Sequence, residues 1–287
     1  MAEELKPEKL TPLQRLGKRM LRRKAGRRDD EPLTPEDWEA AWRLHDGALN
    51  HSWHRLLFAL PSSPRCAICG APFEGVGGRL ARPLGYKPSR KNPTVCGVCV
   101  EFSPPGGMKM ETGVLFADLR GFTARFDQGD PAEAAALLRR FYRCAEDVLF
   151  PLAVIDKLIG DEVMALYLPE MRHVIDGDEV ANVMIEHARG LLRAVGYGSS
   201  EGPFVELGVG LDFGEAFVGN IGQRALFDFT AIGDVVNTAS RLQSEAAGGE
   251  IVLSDRVAAG VAESLGDPIE LALKGKADTQ TAYRISA

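Results

Sequence analysis

Two aspartates that end apolar, strand-like segments carry the first sign of chemistry in this sequence. In residues 114–123 (VLFADLRGFT) an apolar run delivers the Asp118 carboxylate to its end, and Gly121 permits a tight turn into a helix start, where free backbone N–H groups favour anions. In residues 156–161 (DKLIGD) a second carboxylate, Asp161, follows Gly160 in what reads as the turn of a hairpin. Hard divalent cations take oxygen ligands, and two carboxylates brought together by adjacent strands can bridge two metal ions. A third segment, residues 227–241 (FDFTAIGDVVNTASR), places Asn237 and Arg241 four residues apart, on one face of a helix. Carboxylates, a glycine turn and a polar helical pair suit chemistry on a phosphate group.

A different chemistry is written in the cysteines. Cys66 and Cys69 form one C-x-x-C pair, Cys96 and Cys99 another, with 26 residues between them. Four thiolates suit tetrahedral Zn²⁺, and the short spacer within each pair lets it chelate one side of the ion. A single iron accepts the same ligands, and two unrelated buried pairs or a redox dithiol are the competing readings. The spacer holds five Gly and four Pro, which leaves it little with which to bury a core. Arg79, Arg82, Lys87, Arg90 and Lys91 against Glu74 make it basic, but with only Phe73 and Tyr86 as aromatics it reads as a solvated loop rather than a nucleic-acid surface. His51 and His54 are not counted as ligands, and Cys144 reads as a small core residue.

These groups need elements to position them. The 287 residues are 45% apolar and 26% charged, with a mean hydropathy of -0.10, an ordinary globular composition with room for two domains. The net charge of -6 argues against a general nucleic-acid binder. Residues 1–28 nonetheless hold ten Lys or Arg against three Glu, so they carry +7 and the remainder carries -13. Segment 1–31 therefore reads as a basic, flexible tail; contact with an anionic membrane surface is the less favoured alternative. No apolar run approaches the ~20 residues that cross a bilayer, and the N-terminus lacks the apolar core of a secretory signal, so the sequence predicts a cytoplasmic protein.

Thr34-Pro35-Glu36-Asp37 has the form of a helix start, and Trp38, Trp42 and Trp53 lie among the apolar positions that follow it. Residues 32–101 are then a helix plus the cysteine module, and the Pro- and Gly-rich stretch within 102–111 reads as a linker. From residue 112 strands and helices alternate. Strands are expected at 113–118, 153–159, 163–168, 205–213 and 215–220, the last two joined at Gly214, with others at 250–253 and within 270–285. Helices are expected at 131–149, 178–195 and 234–245. The order β, α, β, β, α, β is that of an α+β, ferredoxin-like sandwich, with helices on one face of an antiparallel sheet.

In this order and spacing the three polar segments resemble the catalytic domain of the class III nucleotidyl cyclases, the adenylyl and guanylyl cyclases. The likeness runs from about residue 112 to the C-terminus and includes Gly219-Asn220-Ile221-Gly222 and Leu273-Lys274-Gly275. It implies that Asp118 and Asp161, with the backbone carbonyl of Leu119, hold two Mg²⁺ or Mn²⁺ ions on a nucleoside triphosphate. One ion would acidify the ribose 3'-OH for in-line attack on the α-phosphate, and the other would neutralise the departing pyrophosphate. Arg241 would stabilise charge on the transferring phosphorus, Asn237 would orient the ribose, and Lys274 would meet the terminal phosphates. Phe122 and Thr123 belong to the implied substrate contacts. The resemblance also implies a homodimer in which base reading and metal binding at one site come from different protomers. Two positions depart from the family pattern: Leu158 stands where an aromatic is commoner, and Glu162 where a small residue is.

Lys157 and Thr230 match the pair that reads the purine edge. Adenine presents a donor at N6 and an acceptor at N1, and guanine presents the reverse. Lysine can only donate, while a hydroxyl can also accept, so the pair fits adenine. Guanine-specific members usually carry an acid at the lysine position. The expected activity is an adenylyl cyclase acting on ATP; cyclisation of GTP or a pyrimidine nucleotide, or a catalytically silent nucleotide-binding domain, are the alternatives.

Overall fold

The computed structural model describes residues 60–286, except 63, 67–69, 85, 90–92, 94, 98–105, 128, 151, 170–178, 224–225 and 274–277. The basic segment 1–31, the helix expected after Thr34, His51, His54, Cys69, Cys99 and Lys274 lie outside the described residues. The chain divides into two compact units. One holds Cys66, Gly70–Met108 and Asn220–Asp228; the other holds Lys109–Gly219 and Phe229–Ala287.

In the first unit the Cys66 N–H donates to the Ala71 carbonyl at 2.9 Å, and the Gly70 N–H donates to the Cys66 carbonyl at 2.8 Å. A short β-bridge joins Pro88 to Cys96. The spacer between the cysteine pairs is more ordered than a solvated loop. It contains helix α1 (Gly75–Ala81), and Ala71, Phe73, Ala81 and Val95 are buried with Cys66 and Cys96. Its glycines account for this, because a Cβ at Gly78 would strike the backbone of Phe73, so only a glycine lets the helix pack there.

The first strand of the sheet is β1 (Gly106–Leu119), which starts seven residues before the expected strand. Met108 and Met110 are buried while Lys109 and Glu111 are exposed, the period-two alternation of a strand with one covered face. There follow α2 (Phe122–Phe126), α3 (Pro131–Leu149), β2 (Val154–Ile159), β3 (Glu162–Tyr167), α4 (Val180–Val195), β4 (Leu207–Gln223) and β5 (Leu226–Ile232). The chain ends with α5 (Asp234–Glu245), β6 (Glu250–Ser254), α6 (Asp255–Ala258), β7 (Ile269–Leu271) and β8 (Gln280–Ser286). Local signals set several of these limits. Asp130 caps α3 by accepting from the Ala132 N–H at 2.9 Å with Pro131 in the first turn, and α4 stops at Gly196, whose φ of 115° is left-handed.

The strands form one sheet in the order β2-β3-β1-β4-β6-β8-β7, with β5 paired to β4. The β2-β3-β1-β4 part is the arrangement expected of a split βαββαβ unit. The sheet is not wholly antiparallel, however, because β4 and β6 run parallel. Parallel neighbours need a crossover, and here it contains β5 and α5. Nor are the helices confined to one face. Leu115, Ala117, Leu119, Val163, Ala165, Tyr167, Ile251 and Leu253 pack in one cluster with the buried sides of α3 and α4. Val252, which points to the other face, packs with Leu242 of α5 and with Ala246 just beyond its end. α5 lies so close to β4 that a Cβ at Gly210 would meet the Ala239 carbonyl and the Gln243 backbone nitrogen.

The expected break at Gly214 is absent. β4 runs straight through it, and the missing side chain leaves room for the guanidinium of Arg256, which pairs with the buried carboxylate of Asp212. No helix among the described residues is long and apolar enough to cross a membrane. Cys144 is half-buried on α3, 3.6 Å from the Ala194 carbonyl, and burial raises its thiol pKa.

The face covered by α3 and α4 holds a buried tyrosine–histidine pair. The hydroxyl of Tyr167, on β3, is 2.9 Å from Nδ1 of His187, on α4, and burial lowers the imidazole pKa from 6.5 to about 4. The unfolded chain therefore takes up a proton as pH falls through 6.5, while the folded chain does so only near 4. Stability present above pH 6.5 is lost across that window, by up to about 3 kcal/mol. We predict that His187→Gln, which keeps a polar partner for Tyr167 but does not titrate, flattens the pH 6.5 to 4.5 limb of the unfolding free energy. Denaturant titrations of both proteins at several pH values check this; parallel curves would refute it.

Candidate active site

The face of the sheet opposite α3 and α4 carries the acids. Leu115, Ala117 and Leu119 point to those helices, so Asp118 points the other way, and the β1–β3 register sets it directly across from Glu162. The Leu119 N–H donates to the Asp161 carbonyl at 3.2 Å, which ties the end of β1 to the β2–β3 turn. That turn is fixed from a second side by the Tyr142 hydroxyl of α3, which donates to the Gly160 carbonyl. At Gly160 (φ 63°) and Gly121 (φ 70°) the backbone is left-handed, as tight turns beside each aspartate require.

Crowding shows in the charges. Burial, then the Asp161 carboxylate, push the Asp118 pKa up, while Arg120 and Gln243 act in the opposite direction. Glu162 is pushed up to about 7 by burial and then by Asp118 and Asp161. Arg120 Nη1 lies 3.4 Å from Asp118 Oδ1, and the same guanidinium donates to the Gln243 carbonyl. It rests over Gly208, where any Cβ would collide with it. Three acids on one partly buried face are short of positive charge, which fits a divalent cation. No group of three or more His, Cys, Asp or Glu side chains among the described residues could hold a metal by itself. Mg²⁺ commonly takes one or two carboxylates and completes its shell with substrate phosphates and water.

Asn237 and Arg241 lie on α5, outside the buried stripe of Val235, Thr238, Ala239, Leu242 and Gln243; Asn237 is exposed and Arg241 half-exposed. Phe122 and Thr123 open the short α2, with Thr123 exposed and Phe122 stacked at 4.9 Å on Phe126.

Lys157 and Thr230, 73 residues apart in sequence, meet in the fold. Lys157 Nζ donates to Thr230 Oγ1 at 2.6 Å. A third residue, which sequence reasoning did not single out, joins them: the Thr230 hydroxyl donates to Asp156 Oδ2 at 2.6 Å, and Lys157 Nζ is 3.2 Å from the same oxygen. Strand neighbours normally face opposite ways. Here the β2–β3 register slips between Ile155 and Lys157, so Asp156 is the extra residue of a bulge and can face the same side as Lys157. β5, which brings Thr230 to the pair, was also missed, although Phe229 and Ala231 are buried and Ile232 is exposed.

The likeness to known proteins agrees with this geometry. The chain is 30% identical over 138 residues to a protein of Anabaena cylindrica named adenylate cyclase, a stretch that is 45% of this chain and 26% of that protein. It spans about a quarter of the length of the curated relatives it matches. Among solved structures, the guanylyl cyclase Cya2 shares 26% identity with a TM-score of 0.54, over 62% of this chain and 93% of that one. The adenylyl cyclase CyaB from P. aeruginosa shares the fold, at 24% identity and a TM-score of 0.54, over 63% of this chain and 95% of that one. The Adenylate and Guanylate cyclase catalytic domain family matches residues 108–286, which contain Asp118, Asp161, Glu162, the α5 pair and the Lys157–Thr230 contact, and the chain belongs to that family.

Proposed function

We propose that this chain is an adenylyl cyclase that converts ATP to 3',5'-cyclic AMP and pyrophosphate. The observation that carries the choice of base is the 2.6 Å contact between Lys157 and Thr230, which offers a donor and an acceptor side by side. Adenine needs that combination at N1 and N6.

Asp118, Asp161 and the Leu119 carbonyl would hold two Mg²⁺ or Mn²⁺ ions. Bound there, the ions supply the positive charge that acidifies the ribose hydroxyl and neutralises the leaving pyrophosphate. Asn237 would hold the ribose so that its 3'-oxygen faces the α-phosphate, and Arg241 would donate to the phosphoryl oxygens as charge builds on them. Phe122 and Thr123 at the start of α2, and Lys274, would contact the triphosphate. Glu162, whose pKa is pushed up to about 7, stands beside Asp118 and Asp161 as a third acid. We predict cyclic AMP as the main product when the purified protein is given each of the four nucleoside triphosphates with Mn²⁺. Asp118→Ala and Asp161→Ala should each lower turnover by several orders of magnitude while the protein stays folded. Near-normal turnover in either variant would sink the assignment of the ligands.

Two sites across a homodimer complete the proposal. Leu158, Ile159 and Ile232, each about half exposed, put apolar surface on the β2–β3 hairpin and at the end of β5, which supports a second copy covering it. If the metal carboxylates of one copy work with the α5 pair of the other, an Asp118→Ala chain and an Arg241→Ala chain are each inactive. Their heterodimer has one site free of both lesions. Mixing them should restore activity, and a mixture with demonstrated subunit exchange that stays inactive would exclude composite sites.

We further propose that Cys66, Cys69, Cys96 and Cys99 hold one structural Zn²⁺. Supporting this, Cys66 and Cys96 are both buried, and the Cys96 N–H donates to Cys66 Sγ at 3.1 Å, as backbone amides do towards electron-rich sulfur. Elemental analysis of protein purified without added metal is expected to give about one zinc per chain. Protein that contains neither zinc nor iron would rule the site out.

A further inference from the structure

We propose that Asp156 is a specificity-determining residue: by accepting the hydrogen bond of the Thr230 hydroxyl it leaves that hydroxyl only a lone pair to present to the nucleotide base, and so makes the pocket select adenine. The inference rests on the base-reading role proposed for Lys157 and Thr230.

A threonine hydroxyl is ambiguous. It has one proton to give and lone pairs to accept with, so a free rotor can serve the N6 amino group of adenine or the O6 of guanine equally well. Here the rotor is not free. On one side stands an ammonium that can only donate, 2.6 Å from Oγ1; on the other stands a carboxylate that can only accept, also 2.6 Å away. The two together leave one arrangement, in which Thr230 accepts a hydrogen bond from Lys157 and donates one to Asp156 Oδ2. What remains to offer a base is a lone pair. The Asp156 side chain has no exposed area, and Lys157 Nζ, 3.2 Å away, compensates its charge. Water therefore does not compete for the carboxylate. The β2 bulge is what makes this possible, since without the extra residue Asp156 and Lys157 would face opposite sides of the sheet.

The test compares kcat/KM for ATP and for GTP in the full-length chain with Mn²⁺. The ratio is internal to each preparation, so a loss of folded protein cancels, and a merely structural role for Asp156 would not move it. Wild type is expected to favour ATP by at least about tenfold. In Asp156→Asn the side-chain amide can donate to Oγ1, the hydroxyl proton is released towards the base, and the ratio should fall at least about fivefold. Adding Thr230→Asp to that variant supplies an acceptor that needs no partner and should restore the preference. An unchanged ratio in Asp156→Asn, or a double variant no more selective than the single one, overturns the inference. If Asp156→Asn does not fold at all, Thr230→Val reads the same acceptor with Asp156 in place, and an undiminished ATP preference there overturns it as well. A wild-type enzyme that prefers GTP would remove the adenine reading itself, whereas an ATP-preferring wild type whose preference survives in Asp156→Asn removes this inference alone.

Discussion

Pairing β1 with β3 sets Asp118 directly across from Glu162, on the side of the sheet that α3 and α4 leave uncovered, and the backbone bond from Leu119 to Asp161 holds a third acid nearby. Two like charges about 5 Å apart repel by roughly 3 kcal/mol at an effective dielectric constant near 20. The register cannot relax to relieve this. A slip of one residue would turn Leu115, Ala117 and Leu119 out of the core, at a cost of several buried side chains. Core packing on one face thus imposes charge crowding on the other. The crowding is visible in Glu162, whose pKa is pushed up to about 7, and it is partly offset by Arg120 reaching across Gly208. A cation bound among these acids would relieve the repulsion that the core enforces.

The cluster of Asp156, Lys157 and Thr230 is built on the opposite principle. At the acids, like charges are forced together and left short of compensation. At Asp156, a buried carboxylate is matched within its own chain by an ammonium and a hydroxyl. Both arrangements depend on the same hairpin, whose β2 strand carries Asp156 and Lys157 and whose turn carries Asp161. The hairpin is secured from outside the site by the Tyr142 hydroxyl on Gly160. A change in α3 that moved Tyr142 would therefore be felt at the acidic turn.

Much of this was legible in the sequence where one local rule governed. α3 runs from Pro131 to Leu149 and α5 from Asp234 to Glu245, as the sequence predicts. The βαββ order, and with it the placement of Asp118 and Asp161, followed from periodicity. What escaped depended on contacts remote in sequence. Gly214 looked like a break because a glycine between apolar runs usually is one, yet here it makes room for Arg256, 42 residues away. β5 was hidden within a segment read for its polar residues. The bulge at Asp156 has no signature in a single strand, since it is a property of how β2 counts against β3. Arg120 gave no sign that it would fold over Gly208, 88 residues away, to partner Asp118.

The two faces of the sheet divide the physical work, and that division explains why the site can tolerate such unfavourable electrostatics. The α3–α4 face buries most of the large apolar side chains among the described residues, and its buried contact between Tyr167 and His187 is neutral at physiological pH. Stability is therefore anchored on the side away from the crowded acids. The other face carries a smaller apolar cluster under α5, and it also carries Asp118, Glu162 and Lys157. A protein that mixed the two would have to balance each carboxylate against the packing of its neighbours. Because side chains alternate along a strand, β1 and β3 can contribute core residues to one side and functional groups to the other without compromise. Substitutions that alter charge on the open face should then change ion and nucleotide binding far more than they change the fold, whereas a lost methyl group on the closed face should do the reverse.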